Sequence, residues 1–435
     1  MTRRRSVSRR AFLRLAGAAV STAALAACAP QATPGSPSVP NQTGRKTLKL
    51  DIQSFAHAGL RPVLDAWTAR TGHTVELVAG PPTDEEVIAR YTSAFRAGVS
   101  PADVISVSDG AGPGFYRADW MEPLDDAIPQ ATWDDFPRLF NSQIEVWHSY
   151  KGHRYRVPHE FGMSYFWYRK DWFDQQKITP PKTWDELVQL GKQYTSGSVW
   201  GTLEGLKRNG LVWVFMAYLT TQAGGEVFSF DDATAMAFEF AYDLIHAHKI
   251  LPESALDIDY SQQNQAYMQD RVAMMRQWPY FWDVSRSNTS WYAPGKAEIA
   301  LPPAGPAGAK NFWGGWGFSV PKFAPNKAEA LDLIRWITSN ENAPILAKGQ
   351  SWFIMPRKSI LAALGDYGLI PAMKMYIEND VPVVRRFHEK VSEAALVVDR
   401  VGYQYLTKQI SLAEAMQRGR DEISALGATA NRQIR

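Results

Sequence analysis

The chain has 435 residues, 45% hydrophobic and 21% charged, with one cysteine, sixteen tryptophans and a formal charge of +3. That length fits one oversized domain or two to three ordinary ones around a large core, and the composition excludes collagen-like, disordered and disulfide-stapled chains. The small, evenly spread charge forms no long basic block, so no nucleic-acid partner is expected.

Residues 1–27 hold six arginines (Arg3, Arg4, Arg5, Arg9, Arg10 and Arg14) and no lysine or acid. They end in an apolar stretch over 15–27, shorter than the roughly 20 residues that span a bilayer, which reads as a cleavable signal peptide. Ser8-Arg9-Arg10-Ala11-Phe12-Leu13 resembles the twin-arginine export motif, with Arg14 where lysine is usual. The general secretory route is the alternative. Leu25-Ala26-Ala27-Cys28 resembles the lipobox of bacterial lipoproteins, which implies lipid on Cys28 and attachment to the outer face of the cell membrane. Residues 28–45 carry Pro30, Pro34, Pro37 and Pro40 among Ser, Thr, Gln and Gly. With nothing to bury, they form a disordered tether reaching about 20 Å. Without 1–27 the basic count falls to 41 against 44 acids, and the formal charge becomes −3.

From 46 onward short β patterns alternate with helical ones. Residues 48–53 alternate Leu, Leu, Ile against Lys, Asp, Gln; 60–70 space Leu60, Val63, Leu64 and Trp67 as one helical face. A strand over 74–78, a helix over 84–97 and a strand over 102–107 follow, the signature of βαβ units on a parallel sheet. Asp109 falls beyond the C-terminal end of that third strand, on the ligand-facing edge of such a sheet. Gly110-Ala111-Gly112-Pro113-Gly114 reads as a turn, because Phe115 breaks the dinucleotide fingerprint and Pro113 opposes a helix. Thr183-Trp184-Asp185-Glu186 predicts a reciprocal capping box, as does the segment Ser411 to Glu414. Residues 231–248 place Ala233, Met236, Ala237, Phe240, Ala241, Leu244 and Ile245 on one stripe. Strand patterns return at 272–275, 299–301 and 318–320, out of step with a single βα array, which suggests two α/β lobes sharing the chain.

Signs of chemistry are missing. His159-Glu160 lacks the second histidine of a zinc-protease helix, since Met163 stands at its place. Ser319-Val320-Pro321-Lys322 lacks a helical context. His246 and His248 are two apart on a helix and cannot share a metal. We expect no metal, no cofactor and no enzyme activity. Carboxylate pairs of a carbohydrate-active enzyme, recognised by separation in space, stay open as an alternative.

Four ordered blocks resemble the extracellular solute-binding proteins of ABC transporters, the large sugar-binding family that includes maltose-binding protein. They are Pro101-Ala102-Asp103-Val104-Ile105; Gly152 to Pro158 through Tyr165-Phe166-Trp167-Tyr168-Arg169-Lys170 to Leu187; Gln222-Ala223-Gly224-Gly225-Glu226; and Val272-Ala273-Met274-Met275 with Trp278 through Gly314-Gly315-Trp316-Gly317-Phe318. An asparagine often stands at the place of Arg169. The resemblance implies a two-lobed periplasmic-binding-protein-like α/β fold, each lobe a sheet flanked by helices. Hinge crossings would fall near Gly162, Leu301 and Gly349. Lobe 1 would take 46–161 and 302–348, lobe 2 162–301 and 349–435. The implied function is capture of a carbohydrate, an oligosaccharide or glycoside, and its delivery to ABC transporter permease subunits by a monomeric binding protein. A small anionic solute such as a glycerophosphodiester is the alternative ligand, which would require Arg or Lys converging with few rings.

A sugar offers apolar C–H faces and a belt of hydroxyls, so its site needs flat aromatic surfaces beside charged or amide groups. Trp313 and Trp316 flank glycines that permit close approach, or else form a glycine-rich bend with core tryptophans. Trp278 follows a strand, and Asp109 is either a ligand contact or a turn cap. Glu160 precedes the hinge glycine, or belongs to a surface ion pair. Phe55 follows the first strand, and Trp213 lies in a helix that is otherwise core. Trp352 and Arg357 follow the third crossing, placed to close over a ligand.

Overall fold

The computed structural model describes residues 44–427 apart from 82, 209, 386, 387 and 389. The predicted signal peptide, Cys28 and all but the last two tether residues lie outside the described residues. Among the described residues no helix is long and apolar enough to cross a membrane.

Strand Thr47–Gln53 buries Leu48, Leu50 and Ile52 completely, as its alternation requires. It pairs in parallel with Thr74–Gly80 on one side, Leu50 opposite Leu77, and with Val104–Ser108 on the other. The helix connecting the first two, His57–Thr71, presses Leu60, Val63, Leu64 and Trp67 into the core and ends on Gly72 in the left-handed conformation. The next, Asp84–Arg96, starts from Thr83, whose hydroxyl accepts the Glu86 N–H, and carries three acids in its first turn against the helix dipole.

The first sheet runs Thr74–Gly80, Thr47–Gln53, Val104–Ser108, Trp316–Ser319, Val157–Pro158. Its fourth strand comes from much later in the sequence and lies antiparallel to both neighbours. The second sheet runs Glu298–Ala300, Tyr165–Tyr168, Val272–Gln277, Trp200–Leu203, with only the last pair parallel. The chain therefore leaves the first sheet after Pro158, builds the second from Tyr165 to Ala300, and re-enters the first at Trp316. This double passage is why the βα order looks broken in sequence. Helix Asn342–Gly349 then packs beside His57–Thr71, and the late strand Pro382–Val384 pairs in parallel with Asn311–Trp313.

Three local expectations change. A short helix, Gly112–Arg117, follows the turn at Asp109 to Ala111: Pro113 falls in its first turn, where a missing N–H costs nothing. The Thr183 hydroxyl caps the Glu186 N–H at 3.2 Å, but the Glu186 carboxylate accepts from the Lys182 N–H at 2.7 Å instead of closing the box. On helix Asp232–His246, Met236 is 42% exposed and Phe238 fully buried, so the stripe is rotated from the one read in sequence. The Ser411 box at the start of Leu412–Ala425 forms completely.

Candidate functional site

The C-terminal end of Val104–Ser108 delivers Asp109 into a buried charge network. Its carboxylate pairs with the Arg156 guanidinium, accepts from Gln143 Nε2 at 2.8 Å, and stands 3.5 Å from Arg385 Nη2. Arg156, wholly buried, also donates to the carbonyls of Val107 (2.8 Å) and Gly315 (3.2 Å). The Ser108 hydroxyl donates to Asp84, whose carboxyl is raised above its ordinary pKa by burial. A charge this deep is stable only because each partner neutralises and hydrogen-bonds the next.

Beside it the glycines after Trp313 are steric necessities. A Cβ on Gly314 would lie 2.3 Å from the Asp109 carboxylate, and Gly315 adopts φ 139°. The Gly314 N–H donates to the Gly162 carbonyl at 3.0 Å, joining the two passages between the sheets. The Trp316 N–H donates to Glu160 Oε1 at 2.9 Å, and the Trp352 side chain is also hydrogen-bonded to Glu160. Burial pushes the Glu160 carboxyl up to about 8, against the lowering effect of those two bonds. Burial likewise drives the His159 imidazole down to about 3, and Ser106 shares a 2.9 Å hydrogen bond with it. Gln143, Glu160, Trp313, Gly314 and Trp316 border a recess of about 10 Å³, about one water in size.

The facing wall comes from the second sheet. Trp278 and Tyr280 follow the end of Val272–Gln277, and Tyr280 stacks on Phe55 at 4.9 Å. Phe55 in turn meets Trp352 edge-on at 4.8 Å. Trp278 meets Phe312 at 6.4 Å; Phe312, Trp147 and Trp213 surround the Arg385 guanidinium at 4.8, 4.7 and 5.2 Å. At the strand ends Arg276 is ion-paired with Glu204, both at least nine-tenths buried.

The structure thus brings eight of the sequence-predicted residues into one neighbourhood. Phe55, Trp278 and Trp316 are half-buried and present rings; Asp109, Glu160 and Trp352 are buried and polar-bonded. Trp213 is buried but faces Arg385, and Trp313 packs against Phe140 and Phe161 beneath the recess. Arg357 stands apart: its donors are taken by Asp135, the Thr338 carbonyl and Asn340. Sequence reasoning passed over Arg156, Glu204, Arg276, Phe312 and Arg385. Arg276 sits two residues before Trp278 at a strand end, a signal that was legible; Arg385 lies in a segment with no motif. Among the described residues no group of His, Cys, Asp and Glu is placed to hold a metal.

The sequence model of the bacterial extracellular solute-binding proteins matches residues 57–344. A "probable ABC transporter-binding protein" of Deinococcus radiodurans is 25% identical over 374 residues, covering 81% of this chain and 86% of the relative. The fold is similar to maltose-bound MalE3 of T. maritima, with a TM-score of 0.77 at 21% identity over 88% of this chain and 100% of the other. It is also similar to a solute-binding protein of Thermotoga lettingae solved with α-D-tagatose, with a TM-score of 0.74 at 19% identity over 88% and 99% of the two chains. The architecture is therefore the α/β periplasmic-binding-protein fold expected from sequence. With two mixed sheets, a shared neighbourhood between them and a family match over most of its length, the chain belongs to the bacterial extracellular solute-binding proteins, a non-enzymatic family serving ABC transporters.

Proposed function

We propose that the protein is an extracytoplasmic solute-binding lipoprotein that captures a carbohydrate, an oligosaccharide or glycoside, between two lobes and delivers it to an ABC importer. The lobes are 46–161 with 302–348 and 162–301 with 349–435. Cys28 carries the lipid and 28–45 the tether, after export directed by residues 1–27.

The observation that carries the ligand class is the interleaving of half-buried rings, Phe55, Trp278, Tyr280 and Trp316, with carboxylate–guanidinium pairs, Asp109–Arg156 and Glu204–Arg276. Rings stack on sugar faces for roughly 0.5–1.5 kcal/mol each beyond burial, and charged groups hydrogen-bond hydroxyls for roughly 1.5–3 kcal/mol. Two or three of each, less ordering costs, reach the roughly 8 kcal/mol of micromolar binding. The anionic-solute alternative is disfavoured because Arg156, Arg276 and Arg385 all already face carboxylates. Maltose and tagatose, the ligands of the two structures above, agree with the carbohydrate reading. Ligand contact with both walls favours the closed arrangement, which the importer recognises.

A thermal-shift screen over sugars, amino acids and phosphoesters tests this, since a ligand of the native state raises the midpoint. Stabilisation by a sugar, with saturable tryptophan quenching and no product, is expected. Stabilisation by a phosphoester alone, or turnover of a glycan, overturns it. Cys28→Ser is expected to release the protein from the membrane fraction.

A further inference from the structure

A second cavity lies behind the second sheet, among Phe166, Trp184, Phe215, Tyr218 and Phe240. Its polar lining is Thr202, Glu204, Gln222 and Arg276, with the Tyr218 hydroxyl and the Trp184 indole N–H turned to Gln222. The cavity has a volume of about 30 Å³. A single water needs about 10–15 Å³, so the space takes two or three non-hydrogen atoms and not a sugar ring.

Two residues on its wall carry donors with no hydrogen bond of proper geometry: Arg276 at Nε and Nη1, and Gln222 at Nε2, against which the Tyr218 hydroxyl lies. Gln222 is fully buried and Arg276 is 5% exposed, so bulk water does not serve them. The Tyr260 hydroxyl lies against the guanidinium but makes no hydrogen bond of proper geometry. A buried donor without a partner has given up its water for nothing, so the arrangement calls for an acceptor. Arg276 connects the cavity to the proposed ligand cleft, its guanidinium 5.3 Å from the Tyr218 ring on the cavity side and 5.6 Å from the Trp278 ring on the other.

We propose, building on the carbohydrate reading, that this cavity is a subsite for an acylamino substituent of an N-acetylated amino sugar. The acetyl group has three non-hydrogen atoms. Its methyl enters among the aromatic rings, its carbonyl oxygen accepts from Arg276 and Gln222, and the amide N–H donates to Glu204. A carboxylate of similar size would lose its hydration among five rings and meet Glu204, with which Arg276 is already paired. A hydroxymethyl group leaves the apolar depth unfilled.

The test is calorimetric titration of the full-length protein with matched pairs: N-acetylglucosamine and glucose, N-acetylgalactosamine and galactose, chitobiose and cellobiose. In at least one pair the acetylated member is expected to bind tenfold or more tightly. That preference should shrink to within twofold in Arg276→Met, and in Leu244→Phe, which fills the cavity without touching the ion pair. Equal or tighter binding of the hydroxyl member overturns the subsite and leaves the carbohydrate reading standing. A preference that survives both variants also overturns it. Binding of no sugar in the panel, with binding of a phosphoester or amino acid, overturns both. Circular dichroism verifies that each variant is folded; should Arg276→Met fail to fold, the wild-type pairs and Leu244→Phe decide.

Discussion

Asp109 Oδ2 and Arg385 Nη2 lie 3.5 Å apart although 276 residues separate them in the chain. One ends a strand of the first sheet; the other follows the late strand Pro382–Val384, in an aromatic cage of Trp147, Trp213 and Phe312. Asp109 keeps Arg156 and Gln143 when Arg385 is removed, so Arg385→Ala is expected to fold. It should bind ligand at least about tenfold more weakly, since a hydrogen bond to a charged group is worth roughly 1.5–3 kcal/mol and tenfold corresponds to roughly 1.4. Calorimetry measures this, and unchanged affinity removes the pair from the site.

Trp278→Ala and Trp316→Ala each delete a half-buried ring and leave the backbone contacts, including the Trp316 N–H to Glu160. Stacking worth roughly 0.5–1.5 kcal/mol predicts a loss of about two- to twelvefold in sugar affinity for each. Fluorescence titration of the remaining tryptophans gives the constants; a variant with wild-type affinity was packing, not site.

Glu160 sets a pH dependence of definite sign. Its carboxyl is raised from 4.5 to about 8, chiefly by burial, so the folded protein holds a proton that the unfolded chain releases. The stability this contributes is complete below about pH 4.5 and is lost as the pH climbs to about 8, a change of several kcal/mol at roughly 1.36 per unit. Glu204, raised to about 7, adds a loss of the same sign over a narrower window. Glu160→Gln is expected to flatten the decline and raise the thermal midpoint at pH 8 relative to pH 5. A parallel decline in the variant places the cause elsewhere.

Arg357 separates folding from binding. Its guanidinium, 2% exposed, joins Asp135 and Asn340 to the Thr338 carbonyl. Arg357→Ala leaves the Thr338 carbonyl without its donor while Asp135 keeps the Ser359 N–H and hydroxyl, and an unsatisfied buried acceptor costs about 1–3 kcal/mol. Denaturant unfolding should show that loss, while affinity for the ligand stays within twofold of wild type. A variant that is stable but fails to bind returns Arg357 to the site.

Much of the framework was legible because its signals are local. The strand Thr47–Gln53, the helix His57–Thr71 and the Ser411 box follow from period, spacing and capping within a few residues. The rotated stripe on Asp232–His246 was not, because Phe238 is buried against Tyr405, a partner remote in sequence, as well as against Phe230 just before the helix. Asp109 and Trp278 were legible by position at strand ends, where side chains emerge from a sheet. Glu204 and Arg276 share those positions, but nothing local says that they pair.

By itself the sequence determined the α/β class and the aromatic and glycine-rich segments that meet at the candidate site, because composition, periodicity and capping act over a turn or a strand. Only the tertiary structure decided which charges neutralise one another. Asp109 meets Arg385, 276 residues away, because the chain passes between two sheets and returns, and Arg276 meets Glu204 because their strands lie side by side in the second sheet; a buried charge selects its partner by distance in space, on which local pattern carries no information.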